Sequence, residues 1–223
     1  MLFTYQTTLK NDAFGAIEKG LFKTASGMEV LAIKRIYSQK IFLRGISKLL
    51  GWNECRALKK LMPLHLPYFP DLLFKHKDYH IREFLKGDAI YRCTDYLTPE
   101  YFKHCKDLLR CMRRAGVSNN DLAKEANWLI DEATGLPAIT DFQLAWVFSS
   151  NSKMARIFAR EDLRHLLKHQ RKYAAVRTME CRILERRSVI NRLWMGIAKP
   201  IYLFITRKLL GWKDRTGPEE RDI

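Results

Sequence analysis

The sequence lacks the features of a secreted or membrane-spanning protein. No apolar run is long enough to cross a bilayer, and the nearest candidate, residues 193–212, is interrupted by Lys199-Pro200 and by Arg207-Lys208. The first residues show no basic segment followed by an apolar one, so we expect no secretory signal. The five cysteines are odd in number and form no Cys-x-x-Cys pair. We therefore expect a reducing compartment, and neither a disulfide framework nor a zinc site.

Acidic residues are scarce relative to basic ones. The chain has 24 Asp and Glu against 40 Lys and Arg, which gives a net charge of +16. This excess predicts an anionic partner, which is nucleic acid, an acidic membrane surface or a phosphorylated substrate. Nucleic acid is the least favoured of these because no recognised nucleic-acid-binding motif is present. The hydrophobic content of 47% is ordinary for a globular chain of 223 residues, which can form one or two domains.

Alternating apolar and polar residues predict three strands within residues 4–36, separated by turns at residues 11–15 and 25–27. The last strand ends in the run V-L-A-I-K, whose lysine is Lys34. A lysine at a strand end is also common for a plainer reason, since it discourages aggregation.

Residues 39–62 have helical periodicity, and the segment Gly51-Trp52-Asn53 predicts a break within it. Glu54 would then lie in the first turn of a second helix, where the helix dipole stabilises a carboxylate. Two strands are expected in residues 69–87. A further helix is predicted to begin at Thr98-Pro99.

The densest group of chemically suggestive residues lies between Val117 and Ala145. Its members are Asp121, Lys124, Asn127 and Asp141. Two strand-like runs flank a Gly- and Pro-containing turn, so that Asp and Asn precede the first strand and Asp follows the second. This arrangement is typical of a site for a metal ion and phosphate, because Mg²⁺ prefers oxygen ligands. The alternative is a hairpin in which Asp and Asn occur because they favour turns.

These residues resemble the catalytic loop and the D-F-G segment of protein kinases. Asp121 and Asn127 approximate the Asp-to-Asn spacing of the H-x-D-x-x-x-x-N loop, and Asp141-Phe142-Gln143 resembles D-F-G. The run that ends at Lys34 resembles the V-A-I-K strand. The chain is similar to small bacterial kinases of the protein-kinase-like superfamily, namely the lipopolysaccharide core (heptose and Kdo) kinases, and to RIO-like atypical serine/threonine kinases.

This resemblance implies an ATP- and Mg²⁺-dependent kinase. Asp121 would accept or orient the proton of the attacking hydroxyl, and Lys124 would neutralise charge on the γ-phosphoryl group. Asn127 and Asp141 would bind Mg²⁺. The acceptor would be a hydroxyl of a membrane glycolipid sugar or of a protein serine or threonine.

The resemblance also implies a nucleotide-binding half of the site. Lys34 would hold the α- and β-phosphates and pair with Glu54. Gly15, in the turn before, would let the backbone approach the phosphates, and Glu83 lies in the hinge segment whose backbone would bond adenine. The chain departs from the family pattern at Asn119, which replaces a histidine, at Gln143, which replaces a glycine, and in the glycine-poor turn.

The implied fold is α+β and two-lobed, with an N-terminal antiparallel sheet carrying one or two helices and a mainly helical C-lobe. We predict an N-lobe over residues 1–86, a minimal C-lobe over residues 87–190, and a basic aromatic helix and tail over residues 191–223. The C-lobe includes a basic helix from Lys153 to Ala175, with His165 and His169 expected at its surface.

The segment of residues 192–212 suits a helix at an anionic membrane surface, and equally a helix docked on the C-lobe. We expect a cytoplasmic protein, peripheral on the inner face of the membrane. The alternative function is a catalytically degenerate pseudokinase that acts as a membrane- or nucleic-acid-binding adaptor. The oligomeric state stays open.

Overall fold

The N-terminal half is built on a five-stranded antiparallel sheet in a computed structural model that describes residues 2–131, 133–149 and 152–174. The sheet order is β1-β2-β3-β5-β4. The strands are β1 (Leu2–Asp12), β2 (Gly15–Lys23), β3 (Glu29–Tyr37), β4 (Leu72–Lys75) and β5 (Tyr79–Glu83). The three predicted N-terminal strands and the following pair are confirmed.

One continuous helix, α1 (Ile41–Leu61), crosses the sheet. The predicted break at Gly51 is wrong, because this glycine serves packing. A Cβ there would lie 2.2 Å from a ring carbon of Tyr37, so only glycine lets the helix approach the strand. Glu54 consequently lies well inside α1 and is buried, not in a first turn exposed to the helix dipole.

Two longer helices and short strands form the C-terminal half. They are β6 (Asp88–Ala89), α2 (Pro99–Arg114), β7 (Val117–Ser118), β8 (Trp128–Ile130), β9 (Pro137–Ile139), β10 (Trp146–Val147) and α3 (Lys153–Tyr173). The predicted start of α2 is confirmed: the Thr98 side chain accepts a hydrogen bond from the Tyr101 amide at 3.2 Å. Ser152 caps α3 in the same way, through the Ala155 amide at 3.0 Å.

The main hydrophobic core joins the two halves. Leu58 of α1, Phe102 of α2, Trp128 of β8 and Phe142 after β9 belong to one buried cluster. A smaller cluster around Phe22, Ala32 and Ile81 covers the other face of the large sheet. The two faces of this sheet therefore have different surroundings. Because successive side chains of β3 point to opposite faces, neighbouring residues of β3 lie in different surroundings.

This architecture is the predicted α+β, two-lobed fold with an N-terminal antiparallel sheet. The division at residues 86 and 190 stays a prediction, and the C-terminal segment 191–223 lies outside the described residues. No helix in the described ranges is long and apolar enough to cross a membrane.

Candidate active site

A buried carboxylate of α3 holds the loop that carries the candidate catalytic residues. Asp162 accepts hydrogen bonds from the Ser118 hydroxyl at 2.5 Å and from the amides of Asn119 and Asn120 at 2.9 Å each. Its burial raises its pKa to about 6, although these three donors favour the ionised form. The loop geometry thus depends on a residue more than forty positions away in the chain.

We call the segment from Val117 to Ala145 the catalytic hairpin, after the role that the resemblance implies for it. Asn119, at the position where the kinase pattern has histidine, joins the two ends of this hairpin. Its side chain is fully buried. Its amide nitrogen donates to the Asp141 carbonyl at 2.5 Å, and its oxygen accepts from the Asp121 amide at 3.0 Å. Asn119 therefore performs a structural task with both ends of its amide, and the departure from histidine leaves the hairpin connected.

Asp121 lies within a small polar group with Lys124 and Asn127. The Lys124 ammonium is 2.7 Å from Asp121 Oδ2, and the Asn127 amide nitrogen is 3.2 Å from the same oxygen. Asn127 also donates to the Asp121 backbone carbonyl at 2.9 Å. Burial raises the pKa of Asp121, and Asp141 adds to this, whereas Lys124 opposes it.

Asp141 follows β9 and interacts electrostatically with Asp121 and with Arg82. Asp141 Oδ1 accepts a hydrogen bond from the Gln143 amide at 3.1 Å, so the residue that replaces the D-F-G glycine fits a tight turn. Phe142 is fully buried and meets Phe69 edge to face with ring centroids 6.1 Å apart. The structure therefore brings together the four predicted residues Asp121, Lys124, Asn127 and Asp141.

The expected pair between Lys34 and Glu54 is wrong. Glu54, with no exposed surface, is 3.1 Å from Arg35 Nε, 3.2 Å from His80 Nε2 and 3.0 Å from Arg82 Nε. Burial by itself raises the pKa of Glu54, but Arg35, His80 and Arg82 outweigh it and lower the pKa.

Strand parity explains this difference. Successive side chains of β3 point to opposite faces, so Arg35 meets Glu54 while Lys34 meets the other face. There the Lys34 ammonium is 3.7 Å from Glu18 and lies over the rings of Phe3 and Tyr79 at 5.4 and 5.0 Å. The run A-I-K matches the kinase motif, but Lys34 points to the face of the sheet opposite Glu54. The next residue, Arg35, points to the face where Glu54 lies.

Arg82 connects the Glu54 cluster to the catalytic hairpin. Its Nη2 is 3.4 Å from the Thr140 hydroxyl, directly before Asp141, and its Nη1 donates to the Glu83 carbonyl at 3.2 Å. Arg35 and Arg82 therefore lie on the same face of the sheet, and Arg82 interacts there with Asp141.

The turn with Gly15 is fastened to the start of α1. The Phe14 carbonyl accepts from the Ser47 hydroxyl at 2.6 Å and from the Ser38 amide at 3.1 Å. Gly15 has φ 131°, and a Cβ there would lie 2.0 Å from the Ile36 carbonyl oxygen. The close approach of β3 thus explains the need for glycine here, and the role of Gly15 in phosphate binding stays a prediction.

The hinge segment runs through Glu83. The Glu83 amide donates to the Asp71 carbonyl at 2.8 Å, and burial raises the pKa of the Glu83 carboxyl. A cavity of about 470 Å³ lies beside the hinge, between the start of β3, Phe84 and the β8–β9 hairpin. Asp121, Asn127 and Asp141 do not line this cavity. The adenine-binding role of the Glu83 segment stays a prediction.

Sequence reasoning missed four residues that support the site. Asp162, Arg35 and Arg82 gave no local signal, because each acts through partners distant in the chain. His169 was expected at the surface but is buried and donates from Nε2 to the Leu122 carbonyl at 2.9 Å. The available signal was its spacing of three residues from Leu166, which places both on one side of α3.

The fold resembles two solved structures of the Rio2 kinase from Chaetomium thermophilum. The first has a TM-score of 0.57 and 13% identity, covering 78% of this chain and 60% of that chain. The second, a complex with ADP/Mg²⁺ and phosphoaspartate, has a TM-score of 0.54 and 14% identity, covering 78% and 58%. The chain thus spans about 60% of the length of these structures.

The class defined by this likeness is the protein-kinase-like fold. The chain matches no protein-family model and no curated protein sequence.

Proposed function

We propose that the protein is an ATP- and Mg²⁺-dependent kinase that transfers the γ-phosphoryl group to a hydroxyl. The observation that carries this proposal is the joining of Asp121 and Asp141 through the two ends of the Asn119 amide. Phosphoryl transfer depends mostly on positioning and charge neutralisation, so two carboxylate residues whose backbones are joined by one buried amide suit that chemistry.

In this proposal Asp121 accepts the proton of the attacking hydroxyl. Burial raises its pKa, which makes it a better base, and the Lys124 ammonium 2.7 Å away keeps it ionised. The Lys124 side chain is half exposed, so in this proposal its ammonium contacts the incoming phosphoryl group beside Asp121.

The oxygen atoms of Asp141 and Asn127 fit a magnesium site. No cluster of three or more His, Cys, Asp or Glu side chains suited to a metal occurs in the ranges the structure describes. Mg²⁺ bound together with phosphates needs only one or two carboxylates, so this donor set is sufficient. When bound, the ion neutralises charge on the phosphate oxygens. The side-chain nitrogen of Asn127 donates to Asp121, which leaves the side-chain oxygen Oδ1 of Asn127 for the metal.

We assign the cationic contact to the nucleotide phosphates to Arg35 and Arg82 in place of Lys34. Both guanidinium groups are held by Glu54 on the face where Arg82 interacts with Asp141, whereas Lys34 pairs with Glu18 on the opposite face. Arginine retains its charge in a buried setting and offers several donors to phosphate oxygens.

ATP turnover with Mg²⁺ tests the enzyme proposal. We expect Asp141→Ala and Asp121→Asn to lower turnover by about a hundredfold or more, since each removes a group on the reacting centre. Lys34→Ala is the matched control and should retain turnover within about twofold, while Arg35→Ala should lose most of it. Equal turnover in wild type, Asp141→Ala and Asp121→Asn would contradict the enzyme proposal. Loss in Lys34→Ala equal to that in Arg35→Ala would contradict the assignment of the phosphate contact.

For the acceptor we favour a membrane glycolipid sugar over a protein serine or threonine. Only nine residues separate Gln143 from the start of α3, which is a short segment for docking a peptide. Incubation of labelled ATP with a membrane lipid extract and with a protein extract separates the two acceptors. Label found only in protein would refute the glycolipid preference. A cytoplasmic location on the inner membrane face belongs to the same proposal.

The second candidate function is a pseudokinase adaptor. Two features that depart from the kinase pattern favour it. The turn with Gly15 is hydrogen-bonded to α1 through Ser47, and arginines surround Glu54. Calorimetric binding of ATP with Mg²⁺ separates the two functions. Nucleotide binding without any turnover, at all tested acceptors, supports the adaptor.

A further inference from the structure

The outward side of α1 carries a row of large apolar side chains that no described residue covers. Phe42 is 91% exposed, Ile46 48%, Leu49 55% and Trp52 46%. Their spacings of four, three and three residues place them on one side of the helix. Ile41, 85% exposed, lies at the start of the same row. A contiguous apolar surface of this kind marks an interaction site more often than scattered exposed residues do.

The same side of α1 becomes basic toward its end. Arg56, Lys59 and Lys60 are exposed, and the helical repeat places them in line with the apolar row. The Arg56 guanidinium lies 4.8 Å over the ring of Trp52 and so joins the apolar part to the basic part. The only acidic residue of α1 is Glu54, which is buried and ion-paired on the inner side. We call the solvent-facing side of α1 between Ile41 and Lys60 the α1 outer face.

We propose that the α1 outer face is a docking surface for an anionic lipid membrane. Its apolar residues would enter the boundary between headgroups and acyl chains, and its basic residues would contact anionic headgroups. A membrane suits this face because the face combines exposed apolar side chains with positive charge and has no exposed acid of α1.

The charge of other occupants argues against them. Residues 192–212 of this chain contain four basic and no acidic residues, so docking them here would place positive charge against positive charge. A second copy of the chain would bring the same basic face. The complementary partner is therefore anionic, and among anionic partners a lipid surface fits best because it offers an apolar interior to the exposed row beside its anionic headgroups.

Flotation of the purified full chain with lipid vesicles tests the proposal. The vesicles consist of phosphatidylcholine alone or of phosphatidylcholine mixed with phosphatidylglycerol. The wild type should bind the anionic vesicles and not the neutral ones at low ionic strength. Phe42→Ser/Leu49→Ser should reduce the partition coefficient by about tenfold or more. Lys59→Ala/Lys60→Ala should reduce it by about tenfold at low salt and less at high salt.

Matched variants control for general loss of apolar surface and charge. Leu2→Ser/Met28→Ser removes two side chains that are 66% and 64% exposed elsewhere, and Lys23→Ala/Lys77→Ala removes the same charge as the lysine variant. Both should bind within about twofold of wild type. An unchanged melting temperature verifies folding, because every substituted side chain is exposed.

Three outcomes would overturn the proposal. In the first, the α1 variants bind vesicles as the matched controls do, as expected for a protein partner at this face or for a membrane contact elsewhere in the chain. In the second, neutral vesicles bind as well as anionic ones. In the third, the wild type dimerises and Phe42→Ser/Leu49→Ser abolishes dimerisation while vesicle binding is unchanged. The assay contains no ATP, so its result is independent of the proposed kinase activity.

Discussion

Removal of the charge of Glu54 should destabilise the protein strongly, because Glu54 neutralises two guanidinium groups in the interior. The side chains of Arg35 and Arg82 are only 12% and 7% exposed, and each lies within 3.1 Å of Glu54. Glu54→Gln keeps the volume and removes the charge, which leaves both cations buried without compensation. Breaking a buried ion pair in this way costs about 3–5 kcal/mol. For a chain of this size, that corresponds to a decrease in melting temperature of roughly 6–20 °C.

Denaturant unfolding of Glu54→Gln beside Glu18→Gln measures this effect. Glu18 pairs with Lys34 at 3.7 Å, and both side chains are about a quarter exposed, so its loss should cost about 1 kcal/mol or less. Equal destabilisation by the two substitutions would refute the assignment of Glu54 to the arginine cluster. If Lys34 were the true partner of Glu54, Lys34→Ala would destabilise as much as Glu54→Gln.

The pH dependence of stability provides a second test of the same cluster. Since its cationic partners lower the pKa of Glu54 below its ordinary value, its stabilising contribution is present above that ordinary value and is lost as pH falls through the folded-state pKa. The difference in unfolding free energy between wild type and Glu54→Gln should therefore narrow in acid. A difference that is constant with pH would contradict this interpretation.

Four further substitutions test packing and the catalytic hairpin. Gly45→Ala should stabilise α1 by up to about 1 kcal/mol, because nothing lies within 4 Å of the added Cβ. Gly51→Ala should destabilise it by about 1–3 kcal/mol through a clash with Tyr37, and thermal melting compares the pair. Burial raises the pKa of Asp162 to about 6, so its contribution to stability is greatest below its unfolded pKa near 4 and is lost as pH rises through 6. The advantage of wild type over Asp162→Asn should decrease by about 3 kcal/mol across that interval in denaturant titrations, and an increase would contradict it. Asn119→Ala should cost about 1–3 kcal/mol, because it leaves the Asp121 amide and the Asp141 carbonyl unpaired, and it should lower turnover beyond what the lost stability explains.

Local sequence patterns were sufficient to predict the N-terminal strands, the start of α2 and the grouping of residues in the catalytic hairpin. The alternation over residues 4–36 predicts strands because side chains of a strand alternate between two faces. The Thr98-Pro99 pair predicts a helix start because the capping hydroxyl and the missing proline amide both suit the first turn. Asp121 and Asn127 are only six residues apart on one loop, so their proximity follows from the chain itself. Asp141 joins them through a single short hairpin.

Long-range partners decided what local patterns could not. The break predicted at Gly51 follows from the low helix propensity of glycine, but the contact with Tyr37 outweighs it. His169 was expected in solvent because α3 is strongly basic, yet it is buried and its Nε2 donates a hydrogen bond to the Leu122 carbonyl. In both cases the determining neighbour is more than ten residues away in the chain.

The sequence by itself determined the α+β class, the order of strands and helices, and the grouping of Asp121, Lys124, Asn127 and Asp141. These follow from periodicity and from spacings short enough to act within one hairpin. Only the tertiary structure decided that Arg35 and Arg82, and not Lys34, surround Glu54. The physical reason is that successive side chains of β3 point to opposite faces of the sheet. Which of them meet Glu54 depends on the face that α1 covers, and the run V-L-A-I-K does not reveal that face.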